Sequence, residues 1–456
     1  MNDTSPPGVA AVPMPSFAAA FRVWLKIGLL SFGGPAGQIA LLHKEVVDDR
    51  HWIGERRFLH ALSFCNLLPG PEAQQLATYL GWLMHGVKGG LAAGIVFVVP
   101  GAIVMLALSL IYALAGEVPV VEAIFFGLKC AVLVFVLEAM LRIGRRALKG
   151  RIAWALAAAA FIALFFFHIP FPVVVLTSAA IGYVLPGHFS HGGHGQVKGD
   201  APAAIDAALA ADPGRPDRLA AGARRAGLVI AALWLAPVAY LAFAVGGTFA
   251  DVGLFFSKMA VVTIGGAYAV LAYVAQDAVE VYHWLTPAEM LAGLGLAETT
   301  PGPLILVLQF VGFLAGFRSP GAVTGVTGGI LSSLLTLWTT FAPCFVFVFL
   351  GAPLIERLAS NTALSGALAA VTSAVVGVVA NLAVWFALQV LFREHTSVRG
   401  FGVAIDLPIP ASIDLAALAL AAVAAVCLFR LKLGVLRTLG ITAALGLLVR
   451  MAAHMI

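Results

Sequence analysis

Charge is what this chain lacks most. Asp, Glu, Lys and Arg together make up 11% of its 456 residues, where an average soluble domain carries about a quarter. So few charges cannot cover the surface of a water-soluble protein of this size, and that class is excluded. Cysteine is scarce as well. Cys65, Cys130, Cys344 and Cys427 stand singly in apolar segments, without metal-binding spacing, and read as small buried hydrophobes. No glycine-rich loop ending in Lys-Ser or Lys-Thr occurs, so no nucleotide site is indicated. No basic cluster suits nucleic acid. The first sixteen residues have no basic region ahead of an apolar stretch and read as a short disordered lead, not a cleaved signal peptide. Metal, cofactor and catalytic residues are all expected to be absent.

Apolar residues are abundant instead, at 61%, with a mean hydropathy of +1.00. Runs of membrane-spanning length recur, for example 89–115, 152–167, 228–245 and 330–350. The expected class is an all-α polytopic membrane protein, with the lipid bilayer as its surroundings.

The chain also repeats itself. Pro69-Gly70-Pro71 returns as Pro301-Gly302-Pro303, an offset of 301 − 69 = 232. The same offset carries Lys26 onto Lys258, Gly33-Gly34 onto Gly265-Gly266, and His51-Trp52 onto His283-Trp284. This divides the chain into the lead 1–16, a first repeat 17–186, a polar linker 187–226, a surplus apolar helix 227–246, and a second repeat 249–456.

Basic residues orient the two copies. Lys44, Arg50, Arg56 and Arg57 fill the loop 43–57, whereas its partner 275–289 has neither Lys nor Arg. Arg142, Arg145, Arg146, Lys149 and Arg151 face an uncharged counterpart, while Arg430, Lys432 and Arg437 match an uncharged stretch of the first copy. Positive residues mark the cytoplasmic side, so the copies face opposite ways, the linker is cytoplasmic, and the surplus helix supplies the inversion. Loops 43–57 and 142–151 then share a side, which makes the Pro-Gly-Pro segment, about 58–86, a re-entrant hairpin.

Proline ends a helix but suits the first turn of the next, and glycine permits the turn between them. New half-helices are therefore expected to start at Pro71 and Pro303. Their free N–H groups and partial positive charge would favour an anion, and broken helices at matching places in two halves point to a transport site. The candidate site comprises Lys26, Ser31, Gly33, Gly34, Asn66, Pro69, Gly70, Pro71 and Gln75 from the first copy. From the second come Lys258, Thr263, Gly265, Gly266, Thr299, Thr300, Pro301, Gly302 and Pro303. Lys26 and Lys258 would supply charge, because an intramembrane ammonium faces a cavity or a partner. Glu72 and Glu298 are proton-coupling candidates, Glu72 equally a helix cap. Lys129 and Glu138 read as an intramembrane pair or as loop-edge charges. The ladders Gly86-Gly90-Gly94 and Gly321-Gly325-Gly329 read as close helix packing, and His188, His191 and His194 as a flexible Gly/His loop. An enzyme acting on a lipid phosphate would have to use His43, Asp48, Asp49 and His51, a cluster that reads better as a solvated loop.

Three stretches carry a resemblance: FGGPAGQIALLH, HWIGERRFLHALSFCNLLPGPEAQQLATYLG, and KMAVVTIGGAYAVLAYV followed by ETTPGP. Together they make nearly the whole chain similar to the chromate ion transporter family, in its long two-domain form. The resemblance implies export of chromate across the bacterial inner membrane, driven by membrane potential or proton gradient. It makes sulfate the expected competitor, and a homodimer is an assembly to be tested. Phe32, Gly33, Gly34, Pro35, Asn66, Pro69, Gly70, Pro71 and Gln75 match the family's first motif, and Gly265, Gly266, Tyr268, Thr300, Pro301, Gly302 and Pro303 its second. Pro35 becomes Ala267, Glu72 becomes Leu304 and Gln75 becomes Val307 in the second copy, which points to one asymmetric site. A permease for sulfate or another anion is the nearest alternative.

Overall fold

The computed structural model describes residues 13–32, 34–116, 118–189, 203–212, 214–263, 266–320, 323–352, 361–400 and 403–454. Gly33, Gly265, Gly321, His191 and His194, together with most of the expected N-terminal lead, lie outside the described residues. The described chain is almost wholly helical, and six helices are long and apolar enough to cross a membrane.

In the first half, α1 (Phe17–Leu30) and α2 (Gly34–His43) are followed by α3 (Glu55–Cys65) and α4 (Glu72–Ala115). Pro71 caps α4, and Glu72 sits in its first turn, where a carboxylate offsets the helix dipole. α4 is not one rod. His85 and Gly86 leave helical geometry, with Gly86 at φ +64°, and the arms 72–84 and 87–115 fold back on each other. A β-carbon on Gly81 would stand 2.5 Å from the Gly89 carbonyl oxygen, so the reversal depends on bare backbone. The hairpin expected over 58–86 is thus α3, the Pro-Gly-Pro turn and the first arm of α4. α5 (Pro119–Ala147), α6 (Arg151–Phe165) and α7 (Phe171–Val184) complete the half.

The surplus helix is longer than its apolar core. α9 (Arg215–Tyr240) begins twelve residues before position 227, and α8 (Ala204–Ala211) precedes it. Polar composition reads as linker here, but Ala and Arg are strong helix formers and Pro216 opens the first turn. α8 is docked, not free: Arg57 bonds Asp206 at 2.6 Å, and Ile205 is fully buried.

The second half repeats the order as α10 (Gly247–Val262), α11 (Ala267–Gln276), α12 (Pro287–Thr299), α13 (Val307–Phe317), α14 (Gly325–Gly351) and α15 (Thr362–Leu391), ending in α16 (Leu415–Ala425) and α17 (Val435–His454). His51 and His283, 232 residues apart, share φ near +52° (52° and 53°). Thr286 and Glu289 form a reciprocal cap on α12. One element has no helical reading: β1 (His395–Gly400) pairs antiparallel with β2 (Val403–Pro408). The copies interlock through exchanged partners. α5 packs on α16 and α17, whereas α15 packs on α6 and α7. The backbones touch there, since a β-carbon on Gly127 would meet the Thr442 carbonyl, and one on Gly182 the Gly366 carbonyl.

Of the glycine ladders, Gly90 and Gly94 pack against Phe349, Thr78 and Phe345, and Gly329 against Phe313. Gly86 instead makes the reversal.

Candidate functional site

The two Pro-Gly-Pro turns meet the opposite copy in the same way. Asn66 closes α3 and Thr300 closes α12, each ahead of its turn. Gly70 and Gly302 take φ +112° and +93°, a region open to glycine and strained for other residues. The Gly70 N–H donates to the Thr263 carbonyl at 3.1 Å, and the Gly302 N–H to the Ser31 carbonyl at 2.8 Å. Ser31 and Thr263 are themselves 232 residues apart and end α1 and α10. Each turn is therefore closed by the helix end of the other copy. Gln38, buried, reinforces one of these bonds by donating to the Gly302 carbonyl at 2.6 Å, and Gln75 donates to the Pro69 carbonyl at 2.6 Å.

These bonds occupy several donors of the expected site. The glycine N–H groups of both turns are already committed to carbonyls. The hydroxyls of Thr263, Thr299 and Thr300 donate to the carbonyls of Met259, Leu296 and Ala297. Pro69, Pro71, Pro301 and Pro303 shape the turns and have no N–H to give. Pro303 caps a short 304–306 turn that leads into α13.

The lysines are also placed differently. Lys26 bonds Glu45 at 2.6 Å, and Glu45 also holds Arg50 at 2.6 Å. Glu45 is 2% exposed while Lys26 remains half-exposed. In the second copy the charge of Lys258 acts on Asp277, and 277 − 258 equals 45 − 26. Both lysines are thus met by an acid nineteen residues later. The acid is Glu in one copy and Asp in the other, beyond the Gly-Gly break, which hid the pattern.

What the fold does gather is a cavity of about 670 Å³. Asn66 and Glu72 line it from the first hairpin, Gly266 and Tyr268 from the second copy, and Arg142 and Arg146 from α5. Both Glu72 carboxylate oxygens lie 3.9 Å from the place a β-carbon on Gly266 would take. Tyr268 donates to Glu298 at 3.0 Å, and the charges acting on Glu298 are Arg142 and Glu138. Arg142 contacts Glu138 at 3.4 Å, and Arg146 has no ion pair among the described residues. The cavity thus brings Arg142 and Arg146 together with the Asn66 amide and the carboxylates of Glu72 and Asp48. In the sequence, Arg142 and Arg146 mark only a side of the membrane. Their usable signal was Arg142 four residues after Glu138 inside an apolar helix.

The pseudo-equivalent position in the second copy is nearly closed. Ala272, Ala275 and Glu280, the offset partners of Ala40, His43 and Asp48, line a space of only about 70 Å³. Of the residues a lipid-phosphate enzyme would use, His43 bridges Asp48 at 3.2 Å and Glu55 at 2.6 Å, and the His51 carbonyl accepts from the Ala204 N–H.

Comparison with known proteins agrees with the repeat. The family described as "Chromate transporter" matches residues 18–183 and 250–448, two stretches that start 232 residues apart. The chain is 34% identical over 403 residues to a chromate transport protein of Pseudomonas aeruginosa, covering 86% of each chain. It is 23% identical over 424 residues to one from Cupriavidus metallidurans, covering 87% of this chain and 90% of that one. An uncharacterized transporter of Bacillus subtilis, YwrA, is 31% identical over 134 residues, 29% of this chain but 75% of its own length. No solved structure gives a significant match. The chain belongs to the chromate transporter family.

Proposed function

We propose that this protein is a secondary transporter carrying chromate, a divalent tetrahedral oxyanion, out across the bacterial inner membrane, with residues 187–226 on the cytoplasmic side. The observation that carries the reading is the cavity lined by Arg142 and Arg146, with Asn66 and Glu72, the residues that flank the first Pro-Gly-Pro turn, in its wall. Arg142 and Arg146 supply the charge and Asn66 a side-chain N–H, replacing the glycine N–H groups and the paired lysines in that role. Glu72 and Glu298 are the groups placed to exchange protons with the site. With the arginine-rich face inside, the wide cavity is the cytoplasmic entrance and the narrow counterpart the exit.

The driving force suits the direction. A membrane potential of about 100 mV, negative inside, favours the exit of two negative charges by about 4.6 kcal/mol, before any proton is counted.

The test is chromate uptake into inverted membrane vesicles. Arg142→Gln is expected to lower the uptake rate at least about tenfold, a loss of about 1.4 kcal/mol, and Arg142→Lys to retain part of it. Wild-type uptake by Arg142→Gln would overturn the site assignment. Uptake of sulfate in preference to chromate would overturn the substrate.

A further inference from the structure

α5 carries cations at two levels. Arg142 lies thirteen residues beyond Lys129, about 20 Å along the helix. Lys129 opens into a separate cavity of about 450 Å³, which Arg450 of α17 and Arg393 also line.

The one carboxylate in its wall does not neutralise this cavity. Asp414 is its one acidic wall residue, and it is fully engaged. One oxygen accepts the N–H groups of Ala416 and Ala417; the other accepts Arg393 at 2.8 Å. Glu122 and Glu289 are the acids whose charge reaches Lys129, but Glu289 is bonded to Arg318. Lys129 and Arg450 have no ion pair among the described residues. Arg450 instead lies over the Phe126 ring at 4.4 Å, and its Nε is buried without a hydrogen-bond partner. Two cations without an ion pair, facing one cavity whose single acid is already engaged, attract an anion to complete them. His395, also in the wall, is an imidazole and adds no negative charge; its Nε2 faces the Leu388 carbonyl at 3.2 Å.

We infer that this cavity is a second anion site, taking an oxyanion of the phosphate, sulfate and chromate type either as a free ion or as a lipid headgroup phosphate. It stands at the end of α5 away from the central cavity. Under the proposed orientation that is the outer face, where an exported anion would be held before release or would oppose further export. The binding chemistry itself does not depend on the transport reading.

The test uses the full chain with Ala288→Cys, an exposed wall position of this cavity, whereas all four native cysteines are buried. The purified protein is reacted with the anionic sulfonatoethyl and the cationic trimethylammonium methanethiosulfonates. The anionic reagent is expected to react about tenfold faster, as clefts lined by one charge sign concentrate the opposite ion. Millimolar sulfate should slow it by a similar factor. Lys129→Gln with Arg450→Gln should abolish both effects, and Lys129→Arg with Arg450→Lys should keep them, which separates charge from misfolding. Protection by sulfate in phosphatidylcholine vesicles assigns a free oxyanion; protection that appears only on adding phosphatidylglycerol assigns the lipid phosphate. Equal rates for both reagents with no protection in either arm would overturn the site. So would loss of the preference in Arg142→Gln, because the signal would then belong to the central cavity. Transport is never read, so failure of the proposed function leaves these outcomes distinct.

Discussion

Each charged residue in this protein is best understood by what answers it. Glu45 is buried between Lys26 and Arg50, so removing Lys26 leaves a carboxylate short of one cation. Lys26→Met is expected to cost about 1–2 kcal/mol, read as a lower melting temperature in detergent, and adding Glu45→Gln should return most of it. At Glu298 the carboxylate accepts the hydroxyl of Tyr268, which itself lines the cavity. Tyr268→Phe should therefore change the pH profile of transport more than its maximal rate, whereas a loss of folded protein would show the bond to be purely structural. Outside the membrane, Asp414 follows simple linkage. Burial alone would raise its pKa, but the N–H groups of Ala417 and Ala416 and the Arg393 guanidinium hold it below the ordinary 3.8. Its stabilising contribution is present above the ordinary carboxylate range and lost as pH falls through the lowered value. Asp414→Asn should flatten the acid limb of the stability curve and leave neutral pH less stable.

At the level of elements, the sequence was legible where a broken pattern had to be repaired locally. Pro71 and Pro303 announce helix starts because they have no N–H to lose, and both cap the helical turn that follows. The reversal at His85-Gly86 falls where the hairpin expected over 58–86 ends, because the side shared by loops 43–57 and 142–151 requires the chain to turn back there. The β-hairpin was hidden, because its strands lie inside the register assumed for the repeat. Arg142 lines the cavity without a sequence sign of it, because one arginine can mark a side of the membrane and line a cavity at once. The turns themselves give a clean contrast. Gly101 passes so close to the second turn that a β-carbon would overlap the Pro301 carbonyl. Gly101→Ala should therefore abolish expression or transport, while Gly150→Ala, with open space around it, should shift stability by less than about 0.5 kcal/mol. Equal tolerance of both in a transport assay would disprove the close crossing.

Taken whole, the molecule is two copies of one unit with unequal cavities, about 670 Å³ in one and about 70 Å³ at the offset position of the other. Exchange between states that open one cavity or the other shifts with whatever binds one of them better. A cysteine at His43 should react readily with impermeant thiol reagents from the arginine-rich side, and one at Ala275 slowly from the other. Chromate should alter the ratio of the two rates. An unchanged ratio would mean that the two openings are not alternatives of one cycle. The crossed bonds at the centre have a consequence of their own for how such a protein can be made. Ser31 closes a loop that belongs to residue 302, and Thr263 one that belongs to residue 70. Neither half finishes its own loop. A gene cut between codons 190 and 202 should therefore yield two fragments that are each degraded when produced alone and rescued when produced together, as two halves of a clasp hold only when both are fastened.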